Sequence, residues 1–340
     1  MSEIKQNMLR ERADKLPPVT DEMLKEILPH HLELYESFFT NNVHLSPQSK
    51  KQYRSGIKQW FWWVHIKLKD KPMWRINKKD FLKYRNFLYN HGLSSKSLSF
   101  KQCSVSTLCN FIEIFYIEDD VDEDDENFEL YTNYQNFRNF TRNLPSLPTN
   151  TVYEKIKVTK DEYDFLMTEL ESRKDYLGMA WLATAFNAGA RRAEIPQFKT
   201  EILSYPIEED KNYILSHNIR LKGSGEAGKV EKYMINFEAI KYMKLWVEKR
   251  GYESEFIFTT KSGKRVNSEW ANYLCKNVLS YLLDRRINCH IFKASCVTYL
   301  LEQGVELKLV SEFIAHHNDV STTLSFYDLR DFEEERNKIF

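Results

Sequence analysis

The residue types that could do chemistry on a substrate lie in the C-terminal half of the chain. Arg191 comes directly after a predicted helix end, and Lys222 lies on a predicted strand beside a turn. The candidates, in chain order, are Arg191, Lys222, His290, Lys293, His316, His317 and Tyr327. Cations, imidazoles and a phenol are groups used in acid–base and nucleophilic catalysis. Each residue also has a commonplace structural explanation, such as an ion pair or a helix cap, so their order and spacing carry the information.

Three other patterns that could bind a metal or cofactor are rejected. Residues 223–229 match G-x-x-x-x-G-K, but Val230 follows where a nucleotide site needs Ser or Thr. The alternating acids that begin at Asp120 have Asp125 where a calcium loop needs glycine. The five cysteines are scattered without Cys-x-x-Cys spacing, which predicts buried thiols in a reducing, cytoplasmic protein. We therefore expect no metal and no cofactor.

The elements that must position the candidate residues are mostly helices. Ser46-Pro47 is a typical helix start, and Thr159 with Glu162 forms a capping box that opens a second helical block. Residues 212–236 alternate and carry glycines, which predicts two strands joined by a turn. The fold class is therefore mainly α, with a helical domain followed by a mixed α/β domain that has a small antiparallel sheet.

The formal net charge is +0, but the charge is segregated along the chain. Eight acids and no base lie within 118–126, followed by a stretch rich in Asn and dotted with Pro. This composition predicts a solvated linker over 119–151, between an N-terminal domain at 1–118 and a C-terminal domain at 152–340. No apolar run approaches the ~20 residues that a membrane span needs, so no membrane partner is expected.

Residues 44–101 form a strongly basic block. They hold fourteen Lys and Arg, two Asp and no Glu, with tyrosines and tryptophans among them. A plain solvated helix face usually mixes Lys with Glu, so this block favours contact with a nucleic acid. The tryptophans have the alternative interpretation of core packing. The basic residues predicted to contact DNA are Lys50, Lys51, Arg54, Lys58, Lys96 and Lys101.

The order of the candidate residues resembles the tyrosine recombinase (phage integrase) family. The matching boxes are Gly-x-Arg-x-x-Glu at 189–194, Lys-Gly at 222–223, His-x-x-Arg at 290–293, Leu-Leu-Gly-His at 313–316 and Thr-Thr before Tyr at 322–327. The first block resembles the family's helical, SAM-like core-binding domain, notably at 92–100 and 111–116. The resemblance covers roughly residues 30–330. Each box alone is unspecific, whereas all of them in this order are a strong signal.

The resemblance implies a DNA strand transferase. Tyr327 would attack a phosphodiester and leave a 3′-phosphotyrosyl link, which can be rejoined to a new partner without ATP. Arg191 and Lys293, with a histidine, would stabilise charge on the nonbridging oxygens. Lys222 would protonate the departing 5′-oxygen, and His290 would accept the tyrosine proton. No metal is needed because fixed cations replace it.

Two features depart from the family pattern. Lys293 stands where the family has a second Arg, which keeps the charge but loses the bidentate fork. Tyr327 lies eleven residues after His316 and ten after His317, whereas the family usually has eight residues between its histidine and tyrosine. We favour His316, with a one-residue insertion before Tyr327, and keep His317 as the alternative. Glu194 is expected to have a structural role in holding Arg191.

The resemblance also implies partners. They are double-stranded DNA, clamped by the two domains, and further copies of this chain in a homotetramer on two DNA sites. An accessory DNA-bending or directionality protein is a further expected partner, in the cytoplasm and at the nucleoid. The function favoured is site-specific recombination, in integration, excision or resolution. A DNA-binding relative that has lost cleavage through Lys293 and a type IB topoisomerase are the alternatives, and the match at 92–116 favours a recombinase over the topoisomerase.

Overall fold

The structure is a computed structural model, and the residues it describes are 11–13, 15–42, 45–117, 128–146, 156–221 and 229–330. The chain forms two compact units, one within 5–154 and the other within 155–340. The acidic run 118–126 and Lys222 lie outside the described residues.

Capping side chains fix several of the helix starts in the N-terminal unit. Its helices are α1 (Asp21–Leu24), α2 (Pro29–Asn41), α3 (Pro47–Leu68), α4 (Lys78–Asn90), α5 (Ser95–Phe115) and α6 (Phe128–Tyr134). Ser46 Oγ accepts the Ser49 N–H at 3.1 Å, so that α3 begins where the sequence predicts. Asn77 caps α4 in the same way, by accepting the Lys79 N–H at 2.9 Å. Each cap satisfies a backbone donor that the first helical turn would leave unpaired.

The tryptophans of the basic block belong mainly to the core of this unit. Trp60 and Trp63 are buried and their rings stack with centroids 5.7 Å apart. Tyr84 is also fully buried and packs against Trp60 at 5.1 Å. These aromatic residues therefore hold α3 against α4. Trp62, by contrast, is only partly buried.

Residues 128–146 differ from the linker predicted over 119–151. Tyr134, Phe137 and Phe140 are buried in the core of the N-terminal unit. The buried Asn139 side chain donates to Asn110 Oδ1 on α5 at 2.8 Å. The physical reason is that aromatic residues spaced among the asparagines bury enough apolar surface to order a segment whose average composition resembles a linker.

The C-terminal unit combines helices with one hairpin. Its helices and strands are α7 (Lys160–Ser172), α8 (Tyr176–Asn187), β1 (Tyr213–Arg220), β2 (Val230–Asn236), α9 (Phe237–Arg250), α10 (Ser268–Tyr273), α11 (Ser280–Leu282), α12 (Cys289–Glu302), α13 (Leu307–Leu309) and α14 (Val320–Phe326). Strands β1 and β2 pair antiparallel, with Ile214 opposite Ile235 and Ile219 opposite Glu231. The register shifts between Leu215 and Asn218, so that one extra residue of β1 bulges.

Two π-helical segments interrupt the helices of the C-terminal unit, and the second is followed directly by His316. One spans Leu274–Leu279 and the other Val310–Ala315. Helix α8, buried along nearly its whole length, runs through the core and delivers the chain to Gly189. Wide turns of this kind are frequent at functional sites because they re-aim the residues that follow.

Among the described helices, we find none with the length and apolar character that crossing a membrane requires.

Candidate active site

Arg191 is positioned by a tight turn after α8. Gly189 has φ +60°, and a Cβ there would lie 3.0 Å from Ile314 Cγ2, so both the backbone angle and the space favour glycine. The Arg191 backbone N–H donates to Glu194 Oε2 at 2.7 Å, and its Nη1 donates to Glu194 Oε1 at 3.0 Å. One carboxylate thus holds both ends of the arginine. Its Nη2 lies 3.4 Å from His317 Nε2.

The two adjacent histidines occupy different environments. His316 ends the π-helical segment with φ +54°, a left-handed conformation that favours glycine. Its ring is buried 4.4 Å from the ring of Tyr233. His317 is only partly buried and faces Arg191. The geometry therefore differs from the sequence-based preference, because it is His317 rather than His316 that meets the arginine.

Thr323 fixes the orientation of the His317 ring. Its Oγ1 lies 2.9 Å from His317 Nδ1 and itself donates to Ser311 Oγ at 2.8 Å. Since the hydroxyl proton is used on Ser311, the imidazole donates from Nδ1 and leaves Nε2 as an acceptor toward Arg191. Burial, and then the charges of Lys293 and Arg191, lower the pKa of His317 to about 4. The free site therefore holds a neutral imidazole at neutral pH.

Tyr327 follows α14 directly and completes the cluster. Its ring lies 4.6 Å from the His317 ring, and the side chain is partly buried. Its backbone N–H donates to Thr323 O at 2.9 Å, and its carbonyl accepts from Thr298 Oγ1 of α12 at 2.8 Å. The backbone of Tyr327 is thereby held at both its N–H and its carbonyl. Phe326, which precedes it, is 51% exposed.

Lys293 lies beneath the cluster and is fully buried. Its Nζ donates to Gly189 O at 2.7 Å and to Ile314 O at 3.1 Å. Burial, followed by the Arg191 charge, lowers the pKa of Lys293 to about 7 although Glu194 acts in the opposite direction. The amine thus ties the turn that carries Arg191 to the segment that ends at His316. This position differs from the phosphate-facing one expected from the sequence.

The other two predicted catalytic residues are less defined. His290 is exposed in the first turn of α12, one turn before Lys293, and its backbone N–H donates to Asn288 Oδ1 at 3.0 Å. Lys222 belongs to the part of the chain that the structure does not describe.

Across the described residues, no three His, Cys, Asp or Glu side chains are grouped so that they could hold a metal ion.

The predicted DNA contacts lie on two helices of the N-terminal unit. Lys50, Lys51, Arg54 and Lys58 share one face of α3 and line a cleft of about 610 Å³ with Pro18 and Val19. Lys51 and Arg54 are exposed, whereas Lys58 forms an ion pair with Asp21. On α5, Lys96 is exposed. Lys101 is partly buried, and burial lowers its pKa to about 8.

Tyr233 is part of the site and was not predicted from the sequence. It is fully buried on β2, and its hydroxyl donates to Glu194 Oε2. The only signal in the sequence was its place among alternating residues of a predicted strand, which indicates an inward side chain but not its partner.

The structure joins a helical unit to a mixed unit that carries an Arg–His–Tyr cluster. A crystal structure of the XerH site-specific recombinase bound to palindromic difH has a TM-score of 0.65 at 14% identity, covering 97% of this chain and 93% of that one. A structure of the Tn1549 transposon integrase in complex with circular intermediate DNA has a TM-score of 0.64 at 14% identity. The match covers 91% of this chain and 99% of that one. At these identities the likeness shows the fold, and the predicted fold class is confirmed.

The chain belongs to the phage integrase family, whose family model matches residues 157–334. The SPbeta prophage-derived recombinase-like protein YomM of Bacillus subtilis (strain 168) is 51% identical over 99% of this chain and 98% of its own length. The tyrosine recombinase XerC of Staphylococcus carnosus (strain TM300) is 21% identical over 76% of this chain and 78% of its own. The resemblance drawn from the sequence boxes is thereby confirmed.

Proposed function

We propose that the protein is a site-specific DNA recombinase that cleaves and rejoins strands through Tyr327. The observation that carries this proposal is the meeting of Arg191, His317 and Tyr327, which come from separate segments of the chain. An arginine and a histidine beside a tyrosine suit attack on an anionic phosphodiester. The experiment is a denaturing-gel search for a covalent protein–DNA adduct on DNA from the flanks of the gene.

The proposed step exchanges one phosphorus–oxygen bond for another. Tyr327 Oη forms a bond to phosphorus while the bond from phosphorus to the 5′-oxygen breaks. The phenol proton passes to His290, and Lys222 gives a proton to the departing 5′-oxygen. Rejoining reverses these transfers with a new 5′-hydroxyl, so no ATP is consumed. Metal and cofactor are absent from this scheme because fixed protein cations carry the charge stabilisation.

The phosphate would lie between Arg191 and His317. Entry of the phosphate replaces the contact of Arg191 Nη2 with His317 Nε2, which measures 3.4 Å in the free site. The negative charge beside the imidazole raises the pKa of His317 from its low starting value, so that Nε2 gains a proton to donate. Lys293, engaged by Gly189 O and Ile314 O, holds the segments on either side of this pocket together.

The histidine assignment is tested by two substitutions. His317→Ala should slow adduct formation by about 100-fold, because it removes a donor to the transition state. His316→Gly should slow it less than His317→Ala does, because glycine suits the left-handed backbone at that position and the ring that is lost packs against Tyr233 and does not meet Arg191. Single-turnover adduct rates on a nicked substrate measure both. The reverse ranking would return the role to His316.

DNA binding is proposed for the basic face of α3. Lys51 is exposed there and free of the ion pair that Lys58 makes with Asp21. Lys51→Gln should weaken binding at all sequences and lower the slope of log K against log salt by about one. Lys67→Gln, at the far end of the same helix and also exposed, is the matched control. Equal changes in the two slopes would contradict the assignment. A filter-binding titration from 50 to 200 mM salt provides the measurement.

We also propose assembly as a homotetramer on two DNA sites, in the cytoplasm with its DNA, with an accessory DNA-bending or directionality protein as a further partner. Heterologous contacts that close into a ring would link four copies. A monomer on DNA at saturating protein, measured by light scattering, would contradict this assembly.

One observation favours a second function, namely DNA binding without cleavage. Lys293 replaces the family's second arginine, and its amine is bonded to two backbone carbonyls inside the unit. That leaves Arg191 as the arginine at the phosphate. A gel shift without any adduct from the wild-type protein, on DNA that it binds tightly, would favour this second function.

A further inference from the structure

The buried carboxylate of Glu194 receives three hydrogen bonds from two residues. Oε1 accepts from Arg191 Nη1 at 3.0 Å, and Oε2 accepts from the Arg191 backbone N–H at 2.7 Å. The third bond comes from the hydroxyl of Tyr233, which donates to Oε2. The side chain of Glu194 is only 3% exposed, so that its orientation depends on these partners and not on water.

The hairpin aims Tyr233 at this carboxylate. Its backbone N–H donates to Ser216 Oγ at 2.9 Å, at the bulge of β1. Its ring is packed between Phe198, at 5.7 Å, and His316, at 4.4 Å. The phenol therefore has little freedom, and its hydroxyl is presented to Glu194 in a fixed direction.

The electrostatics of the carboxylate agree with this geometry. Burial alone would raise the pKa of Glu194, but the charges of Lys293 and Arg191, with the Tyr233 hydrogen bond, lower it below its usual value. Hydrogen bonds to a charged acceptor favour the charged form, and losing one from a buried carboxylate leaves a lone pair unsatisfied. Without the hydroxyl, the carboxylate loses a bond that fixes its orientation and can turn away from both the Arg191 backbone N–H and Arg191 Nη1.

We propose that Tyr233 is a positioning residue for Arg191, which acts by fixing the Glu194 carboxylate that holds the guanidinium toward the phosphate. This inference rests on the proposed strand cleavage, and Tyr233 itself does not touch DNA. The hydroxyl orients a charged group that meets the substrate, so its loss should affect the rate of the chemical step and not the affinity for DNA.

Tyr163 offers a matched control in the same unit. It is also a fully buried tyrosine, and its hydroxyl donates to a carboxylate oxygen, Glu238 Oε1, at 2.9 Å. That carboxylate holds none of the residues of the Arg191–His317–Tyr327 cluster. Tyr233→Phe and Tyr163→Phe each remove one buried hydroxyl and keep the ring, so that both variants should fold.

The first measurement uses the protein without DNA. Hydrogen exchange at the Arg191 amide, which donates to Glu194 Oε2, is followed at single-residue resolution by mass spectrometry. We expect Tyr233→Phe to speed this exchange at least about tenfold and Tyr163→Phe to change it less than about twofold. An unchanged Arg191 amide in Tyr233→Phe would overturn the inference. Because no DNA is needed, this outcome is decided even if the wild type forms no adduct, which would count against the proposed function alone.

The second measurement follows adduct formation against pH. Tyr233→Phe should lower the rate at saturating DNA by about 10- to 100-fold while leaving Kd within about twofold. The acid limb of its pH–rate profile should move to higher pH, because the carboxylate loses a bond that lowers its pKa. A purely structural defect would lower the rate without moving this limb. An equal loss in Tyr163→Phe, or an unmoved limb, would overturn the inference.

Discussion

Tyr327→Phe is expected to abolish the covalent protein–DNA adduct, by about 10⁴-fold or more in rate, while leaving DNA affinity within about twofold. The substitution removes the oxygen that would bond to phosphorus and keeps the ring that lies 4.6 Å from the His317 ring. The backbone of Tyr327 stays held by Thr298 and Thr323. The variant should therefore fold and bind as the wild type does.

The assay for Tyr327→Phe uses DNA nicked next to the cleavage point, so that the cleaved strand diffuses away and the adduct accumulates. Wild-type protein should give a slow band on a denaturing gel, and peptide mapping should place the DNA on Tyr327. Tyr281→Phe is the matched control, since Tyr281 is 69% exposed in the same unit and should form the band at the wild-type rate. A band that survives in Tyr327→Phe would assign the nucleophile to another residue.

Local signals were sufficient for much of the fold. The caps at Ser46 and Thr159 and the hairpin within 212–236 appear where the sequence predicts them. Each depends on neighbours within a few residues, whose geometry is fixed by backbone sterics and nearby donors. The basic character of α3 was likewise visible from the composition of residues 44–101.

The remaining features depend on contacts between distant segments. The burial of Phe140 follows from apolar partners on α3 and α4, and average composition does not reveal such partners. Whether His316 or His317 meets Arg191 depends on where a π-helical segment ends. That segment shifts the phase of the helix by about one residue. Tyr233 on β2 and Glu194 in the turn after α8 are 39 residues apart in the chain, and no spacing rule relates them.

The role of Lys293 shows the same limit at the site itself. Its position in the sequence, three residues after His290, indicates one helix face but not the depth of the side chain. The structure buries it and gives its amine to two carbonyls of other segments. A cation expected to face the phosphate thus becomes part of the framework, and this has a consequence for stability.

Lys293→Met should change the pH dependence of stability. The pKa of Lys293 is about 7 in the folded protein and ~10.4 in an unfolded chain. Between these values the unfolded state binds more protons, so this group makes the wild type more stable as pH rises. The gain should be about 2 kcal/mol in the free energy of unfolding between pH 6.5 and 8.5. Methionine fills similar space without a titrating group, so the variant lacks this gain.

The free energies of unfolding of the wild type and of Lys293→Met should therefore diverge as pH rises. At pH 6.5 the wild type bears the cost of a buried charge beside Arg191, and the variant bears the cost of leaving Gly189 O and Ile314 O without a donor. At pH 8.5 the first cost is smaller by about 2 kcal/mol because the folded protein holds the neutral amine, which still donates to the carbonyls. The difference in free energy of unfolding should widen by about 2 kcal/mol in favour of the wild type.

The measurement is urea unfolding of the full chain, followed by pulsed labelling of the buried thiol of Cys296, one turn beyond Lys293. In the wild type the pKa of Glu194 is lowered, that of Cys296 is raised to about 12, and those of His316 and His317 are lowered to about 3 and about 4, so these neighbours of Lys293 do not titrate between pH 6.5 and 8.5. Lys308→Met, which removes an exposed lysine of the same unit, should leave the pH dependence as in the wild type. Parallel pH profiles for Lys293→Met and the wild type would mean that the amine is already hydrated or fully charged in the folded protein, and would remove the argument that it serves as framework.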